Sequence, residues 1–280
     1  MNAIRLTRRR IEKVWGRRDL LPAFGDVPHD AQPVGEVWFE DPRGGDAALL
    51  VKYLFTSERL SIQVHPDEQA ARARGGKGGK DEAWLVLDAE PGATIGIGLR
   101  DTLDKAGLRD AACDGALEHL IDWRPAQAGD HYYSPAGTIH ALGPGLKLIE
   151  VQQNVDLTYR LFDYGRPRAL HLDDAVAVAD PAPYRPSARS YRLSPGREIL
   201  AEGAKFVLER WTGHTAGRLR ADRPDPLWLV PVSGDGSLGG AALDQGDVWL
   251  VEGETSLSMA EDASMLVAYA GGLRQELLKP

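Results

Sequence analysis

Apolar positions in this chain come in short runs rich in β-branched and aromatic side chains, at residues 36–40, 47–55, 60–65, 83–87 and 146–151. Gly, Pro and Asp punctuate the runs, the pattern of a mainly β chain folded as a sandwich or barrel. Between residues 102 and 121 the period changes. Leu103, Ala106, Leu108, Ala111, Leu117 and Leu120 recur at helical spacing, which predicts one or two short helices inserted between strands. Pro181, Pro183 and Pro186 cannot supply ladder hydrogen bonds, so residues 181–189 read as a linker between units at 1–180 and 190–280.

Strand-like runs return beyond it at residues 206–211, 227–232, 247–251 and 265–270. In the second of these, Leu227, Leu229 and Pro231 alternate with Trp228, Val230 and Val232, so both faces are expected to be buried. An internal echo crosses the linker. The stretch from Leu243 to Val251 resembles that from Ala126 to Ser134, and carrying the match forward puts Ser256 where the first copy has His140. A duplicated barrel whose second copy has lost a functional group accounts for this.

Composition narrows the function classes. At 280 residues the chain can bury a large core, as one big domain or two smaller ones. A net charge of −8 argues against a nucleic-acid partner, and the basic start (Arg5, Arg8, Arg9, Arg10) lacks interleaved aromatics and reads as a solvated strand or loop face. No apolar run approaches the ~20 residues that cross a bilayer, and the N-terminus has no signal-peptide core, so a cytoplasmic location without a membrane partner is expected. The single cysteine, Cys113, rules out an internal disulfide; in its Ala-rich helical stretch it is expected to be a small buried residue.

Three segments carry candidate chemistry. In Ser61-Ile62-Gln63-Val64-His65, strand alternation puts Gln63 and His65 on one face. In Lys80-Asp81-Glu82-Ala83-Trp84 it puts Lys80, Glu82 and Trp84 together, and the Pro135-Ala136-Gly137 turn delivers His140. Two imidazoles, a carboxylate and an amide oxygen suit zinc and can hold other first-row divalent ions. Further on, Asp156, Thr158 and Arg160 line one strand face. The guanidinium fork suits a phosphate or a developing oxyanion, and a purely structural Asp–Arg pair is the competing reading. The stretch from Gly75 to Lys80 is no phosphate loop, because no Ser or Thr follows the lysine and no helical pattern follows the loop. A mobile, cationic loop edging the site is expected there.

Together these segments resemble the type I mannose-6-phosphate isomerases, in particular the shorter bacterial members, which are two-barrel cupin proteins. Gly129-x5-Pro135-x-Gly137-x2-His140 fits the second cupin motif. Gln63-Val64-His65 stands where the first cupin motif has His-x-His, which is the isomerase variant. Val14-Trp15-Gly16 and Asp156-Leu157-Thr158-Tyr159-Arg160 also look like family signatures, and the similarity is dense over residues 10–175 and loose beyond.

The resemblance implies a mainly β fold of two cupin (jelly-roll) barrels, the first metal-bearing with a helical insertion near 102–121, the second without a metal site. It implies one zinc ion per chain on Gln63, His65, Glu82 and His140, with Lys80, Asp156 and Arg160 around a phosphorylated hexose. The implied reaction interconverts mannose 6-phosphate and fructose 6-phosphate through an enediol. The proton-transfer base stays open among Asp156, Lys80 and a water on the metal, and so does a phosphate role for Arg72, Arg74 and Lys77. Oligomeric state and epimer preference are also open. A metal-dependent oxygenase and a non-catalytic sugar-binding or regulatory cupin are the competing functions; Gln63 and the cations Lys80 and Arg160 argue against them.

Overall fold

The computed structural model describes residues 2–220 and 226–279, whose strands form four sheets. In the N-terminal half, the larger sheet runs Thr7–Arg17, Val34–Glu40, Leu49–Phe55, Leu146–Gln153, Glu82–Ala89, His131–Ser134. The smaller runs Tyr159–Phe162, Ile62–Val64, His140–Leu142, Thr94–Leu99, Ile121–Pro125. The C-terminal half threads the same orders again. Its larger sheet runs Arg189–Ser194, Arg197–Glu202, Phe206–Thr212, Ser264–Ala270, Leu227–Ser233, Trp249–Val251, and its smaller one Leu278–Lys279, Thr215–Arg220, Glu254–Met259, Gly236–Leu238, Ala241–Ala242. The chain's start crosses over: Ala3–Arg5 pairs antiparallel with Trp249–Val251 at the edge of the C-terminal sheet.

Alternation explains most strands and what they bury. Trp228 and Val230 join Val37, Val51, Tyr53, Phe55 and Phe206 in one apolar cluster shared by both larger sheets. Leu227 and Leu229, on the opposite face, fill the C-terminal interior with Trp211, Met265 and Tyr269. The strand is therefore buried on both faces through Pro231, and only Val232 is half-exposed. Each such side chain contributes about 1.5–3 kcal/mol by leaving water.

Helices Lys105–Asp114 and Leu117–Leu120 fall within the expected insertion. Asp104 caps the first by accepting the Gly107 N–H at 2.7 Å. Cys113 is exposed rather than buried. Leu108, Ala111 and Ala112 form the helix's inner face, and one residue further on the 100° turn carries Cys113 outward. The strand Thr7–Arg17 is hidden from pattern reading because its first four residues are exposed and three of them are arginines. The proline-rich stretch does not hang free: Leu99 N donates to Ala182 O at 3.1 Å and Leu103 N to Pro181 O at 2.9 Å. No helix among the described residues is long and apolar enough to cross a membrane.

Candidate metal centre and its cavity

The smaller N-terminal sheet builds the centre. Ile62 and Val64 are fully buried in an apolar layer, which turns Gln63 to the opposite face. Register then places His140 and Arg160 directly beside Gln63 on its two neighbouring strands. Glu82 opens a strand of the larger sheet, and His65, Glu82 and His140 bring one ligand atom each within 4.8 Å of one another.

The protonation pattern follows from the partners. His65 Nδ1 lies 2.8 Å from the Leu157 carbonyl and His140 Nδ1 lies 3.0 Å from the Thr138 carbonyl. A carbonyl only accepts, so each Nδ1 carries the proton and each Nε2 presents a lone pair, which Lys80 Nζ meets at 3.5 Å in His65 and Gln63 Nε2 at 3.3 Å in His140. The two imidazole Nε2 atoms lie 3.2 and 3.4 Å from the two Glu82 oxygens. Neither contact is an ion pair at neutral pH, because burial lowers both imidazoles, His65 to about 4 with Lys80 adding to the effect. Burial opposes the charge on Glu82, but Lys80 at 2.8 Å and then His65 outweigh it and hold the carboxyl well below the usual range.

Two lone pairs aimed at a buried carboxylate repel it, and Lys80 offsets this only on the His65 side, at Glu82 Oε1. Glu82 Oε2 has no hydrogen-bond partner among the described residues, a costly state for a buried anionic oxygen. Gln63 completes the set. Its Nε2 lies 3.3 Å from His140 Nε2, and Ser61 donates to its Oε1 at 3.1 Å. A half-turn of the amide presents the oxygen instead. The donor set fits a divalent ion of the zinc class.

The centre opens into a cavity of about 350 Å³ whose lining includes Lys80, Asp156, Thr158 and Arg160. No ion pair joins Asp156 to Arg160 among the described residues, so the structural-pair reading does not apply. Arg160 Nε is buried and unpartnered instead. The glycine-rich loop meets the cavity through its last residue, Lys80. The cations before it do not line the cavity and are paired, Arg72 with Glu68 at 2.5 Å, Arg74 with Asp174 at 2.7 Å and Lys77 with Asp46 at 3.5 Å. Close approach is what requires glycine here, since a Cβ on Gly79 would lie 2.5 Å from Glu68 N.

Other cations and carboxylates lining the cavity escaped sequence reading. Lys52, fully buried, lies 3.1 Å from Glu150 and 3.8 Å from Glu36, and their charges keep it protonated against burial. Trp84 donates to Glu150 at 2.8 Å and Trp38 to Glu36 at 2.5 Å. Arg168 reaches the cavity held by two 2.6 Å hydrogen bonds to buried Asp163. The available signal was a charge inside an apolar strand, Lys52 in one and Glu150 in another, since such groups are buried only when paired.

No protein-family model matches the chain. The mannose-6-phosphate isomerase of Streptococcus mutans is 31% identical over 265 residues, spanning 79% of this chain and 81% of that protein. The mannose-6-phosphate isomerase ManA of Bacillus subtilis is 32% identical over 222 residues, 73% of this chain and 70% of its own. The crystal structure of mannose 6-phosphate isomerase from Bacillus subtilis matches with a TM-score of 0.84 at 27% identity, covering 96% of this chain and 99% of that one. A structure of a putative mannosephosphate isomerase from Archaeoglobus fulgidus shares the fold, with a TM-score of 0.71 at 16% identity over 96% of this chain and 97% of its own. Sequence and backbone agree across most of the chain's length, and it belongs to the mannose-6-phosphate isomerase family.

Proposed function

We propose that the chain interconverts mannose 6-phosphate and fructose 6-phosphate, with one zinc ion held by Gln63, His65, Glu82 and His140. The observation that carries this is the buried Glu82 carboxylate, its Oε2 without a hydrogen-bond partner among the described residues, faced on its two oxygens by imidazoles whose proton sits on the far nitrogen. In the same reading the two pairs of sheets are two cupin barrels. The second is filled by apolar side chains and holds no metal. Phosphorylated hexoses are cytoplasmic metabolites, and the enzyme is placed there.

Bound at this centre, zinc would supply Lewis-acid charge beside the sugar's carbonyl group. The protein's own part is cationic and largely dry. Lys80 is buried beside Glu82, and Arg160 brings a guanidinium with a free Nε–H to the same cavity. Arg168 adds a second fork, aimed by Asp163. These groups recognise the phosphate and stabilise negative charge growing on the enediol oxygen.

One carboxyl is suited to carry the proton between C1 and C2. Of those lining the cavity, Glu36 is held low by Lys52 and Lys13 despite its burial, Glu82 is held low as a ligand, and Asp156 is exposed. Glu150 differs. Burial, then the charge on Glu82, raises its pKa, and a carboxyl that holds a proton more readily can both take and return one. Asp156 and Lys80 are left with substrate-orienting roles.

The test is a coupled assay for fructose 6-phosphate formed from mannose 6-phosphate, run alongside elemental analysis of the purified protein. Turnover together with about one zinc per chain is expected. Metal without isomerisation would point to an oxygenase or a binding cupin and overturn the proposal.

A further inference from the structure

Asp81 lies between two groups of the site, Lys80 and Glu82, yet strand alternation turns its side chain away from the cavity. It is 4% exposed. One carboxylate oxygen accepts the Ala136 N–H at 3.0 Å and the other accepts the Tyr133 hydroxyl at 2.5 Å. Its main chain is tied as well: the N–H donates to Gln153 Oε1 at 3.0 Å, and the carbonyl accepts from Gln153 N at 3.1 Å. A single residue thus joins three segments. They are the strand that begins at Glu82, the turn that delivers His140, and the chain leading to Leu157, whose carbonyl fixes the His65 tautomer.

Tyr133 carries the connection into the other half of the molecule. Its ring lies 5.3 Å from that of Phe206 and is pressed against Gly203, where a Cβ would fall 2.2 Å from the ring's Cζ. Only glycine leaves room for the ring there. Tyr184 donates to the Tyr133 carbonyl at 2.6 Å, so the main chain of the tyrosine is also held.

We propose that Asp81 is a positioning residue for the metal centre, the hub of a clamp through which Tyr133 and the C-terminal half hold Glu82 and His140 at ligand distance. The proposal rests on the metal-centre reading above. Its physical ground is leverage. Asp81 shares its backbone with Glu82 and fixes the turn before His140, so freeing its carboxylate loosens two ligands at once. Small displacements of preorganised ligands weaken a site far more than they weaken a fold. The clamp also gives the metal-free half a task beyond covering apolar surface.

The experiment measures zinc affinity of the folded protein by competition with a chromophoric chelator, well below every variant's melting temperature. Asp81→Asn is expected to weaken binding on the order of 10–100-fold. Tyr133→Phe removes one oxygen and should weaken binding in the same direction by a smaller factor. Asp247→Asn, at a carboxylate equally buried but held by Arg5 and Arg8, should lower the melting temperature and leave zinc affinity unchanged. Wild-type affinity in folded Asp81→Asn and Tyr133→Phe overturns the clamp; if Asp81→Asn does not fold, Tyr133→Phe alone decides. A wild-type protein that binds no zinc fails the metal-centre reading itself and is told apart by that control.

Discussion

Without its metal, the centre should make the protein acid-labile, and His65 sets the size of the effect. Its imidazole is 2% exposed, and burial with Lys80 beside it lowers its pKa from 6.5 to about 4. Between those values the unfolded chain binds a proton that the folded chain refuses, so folding stability is complete above about pH 6.5 and falls as the pH drops. The slope is about 1.4 kcal/mol per pH unit, so His65 alone removes about 2 kcal/mol between pH 7 and pH 5. His131, His140 and His171 are also lowered by burial and steepen the decline in the same sense. Glu82, held below its usual range, loses its contribution only at lower pH. Urea unfolding of chelator-treated wild type and His65→Gln at both pH values isolates the residue: the wild type should lose about 2 kcal/mol more than the variant. Equal losses in the two proteins would show that His65 is not buried neutral, and the argument for its Nε2 lone pair would fall with it.

Replacing His140 with Ala should remove bound zinc and activity together, and elemental analysis finding full zinc in that variant would exclude it as a ligand. Arg160→Ala should keep fold and metal while turnover drops on the order of 100-fold or more; near-normal turnover would make Arg160 structural. Glu150→Gln, with metal content unchanged, should lose on the order of 100- to 10,000-fold in kcat, and a wild-type kcat would return the base to another group. Calorimetric titration of the metal-free protein should find one tight zinc site per chain, where two would refute a C-terminal half without a site.

What the sequence disclosed of the centre and what it withheld have one cause. Gln63 and His65 share a strand, Lys80 and Glu82 share another, and period-2 alternation on a single strand is readable from local spacing. Gln63, His140 and Arg160 sit in one row across three strands, but that row exists only after register is fixed. Lys52 and Glu150 were passed over because each lies in a run that reads as apolar, and their partnership at 3.1 Å spans nearly a hundred residues. The cations before Lys80 in the glycine-rich loop misled for a related reason. They suggest a phosphate edge by composition, whereas their pairing is decided by Glu68, Asp174 and Asp46, which no local pattern brings near.

The two halves show the same limit from the other side. The echo between residues 126–134 and 243–251 puts Ser256 opposite His140, but the faces disagree: His140 is buried beside Gln63 at the cavity, whereas Ser256, beside Arg218, is exposed. On an alternating strand the inward positions are the neighbours of Ser256. Arg218 and Ser256 face solvent, and Leu219, Leu257 and Met259 occupy the interior. A cavity needs inward polar groups that some ligand satisfies, and an apolar filling removes both the cost and the site. Once filled, such a half is free to act as a rigid support. Its hold on Tyr133 through Gly203 and Phe206 is where that rigidity reaches the metal centre.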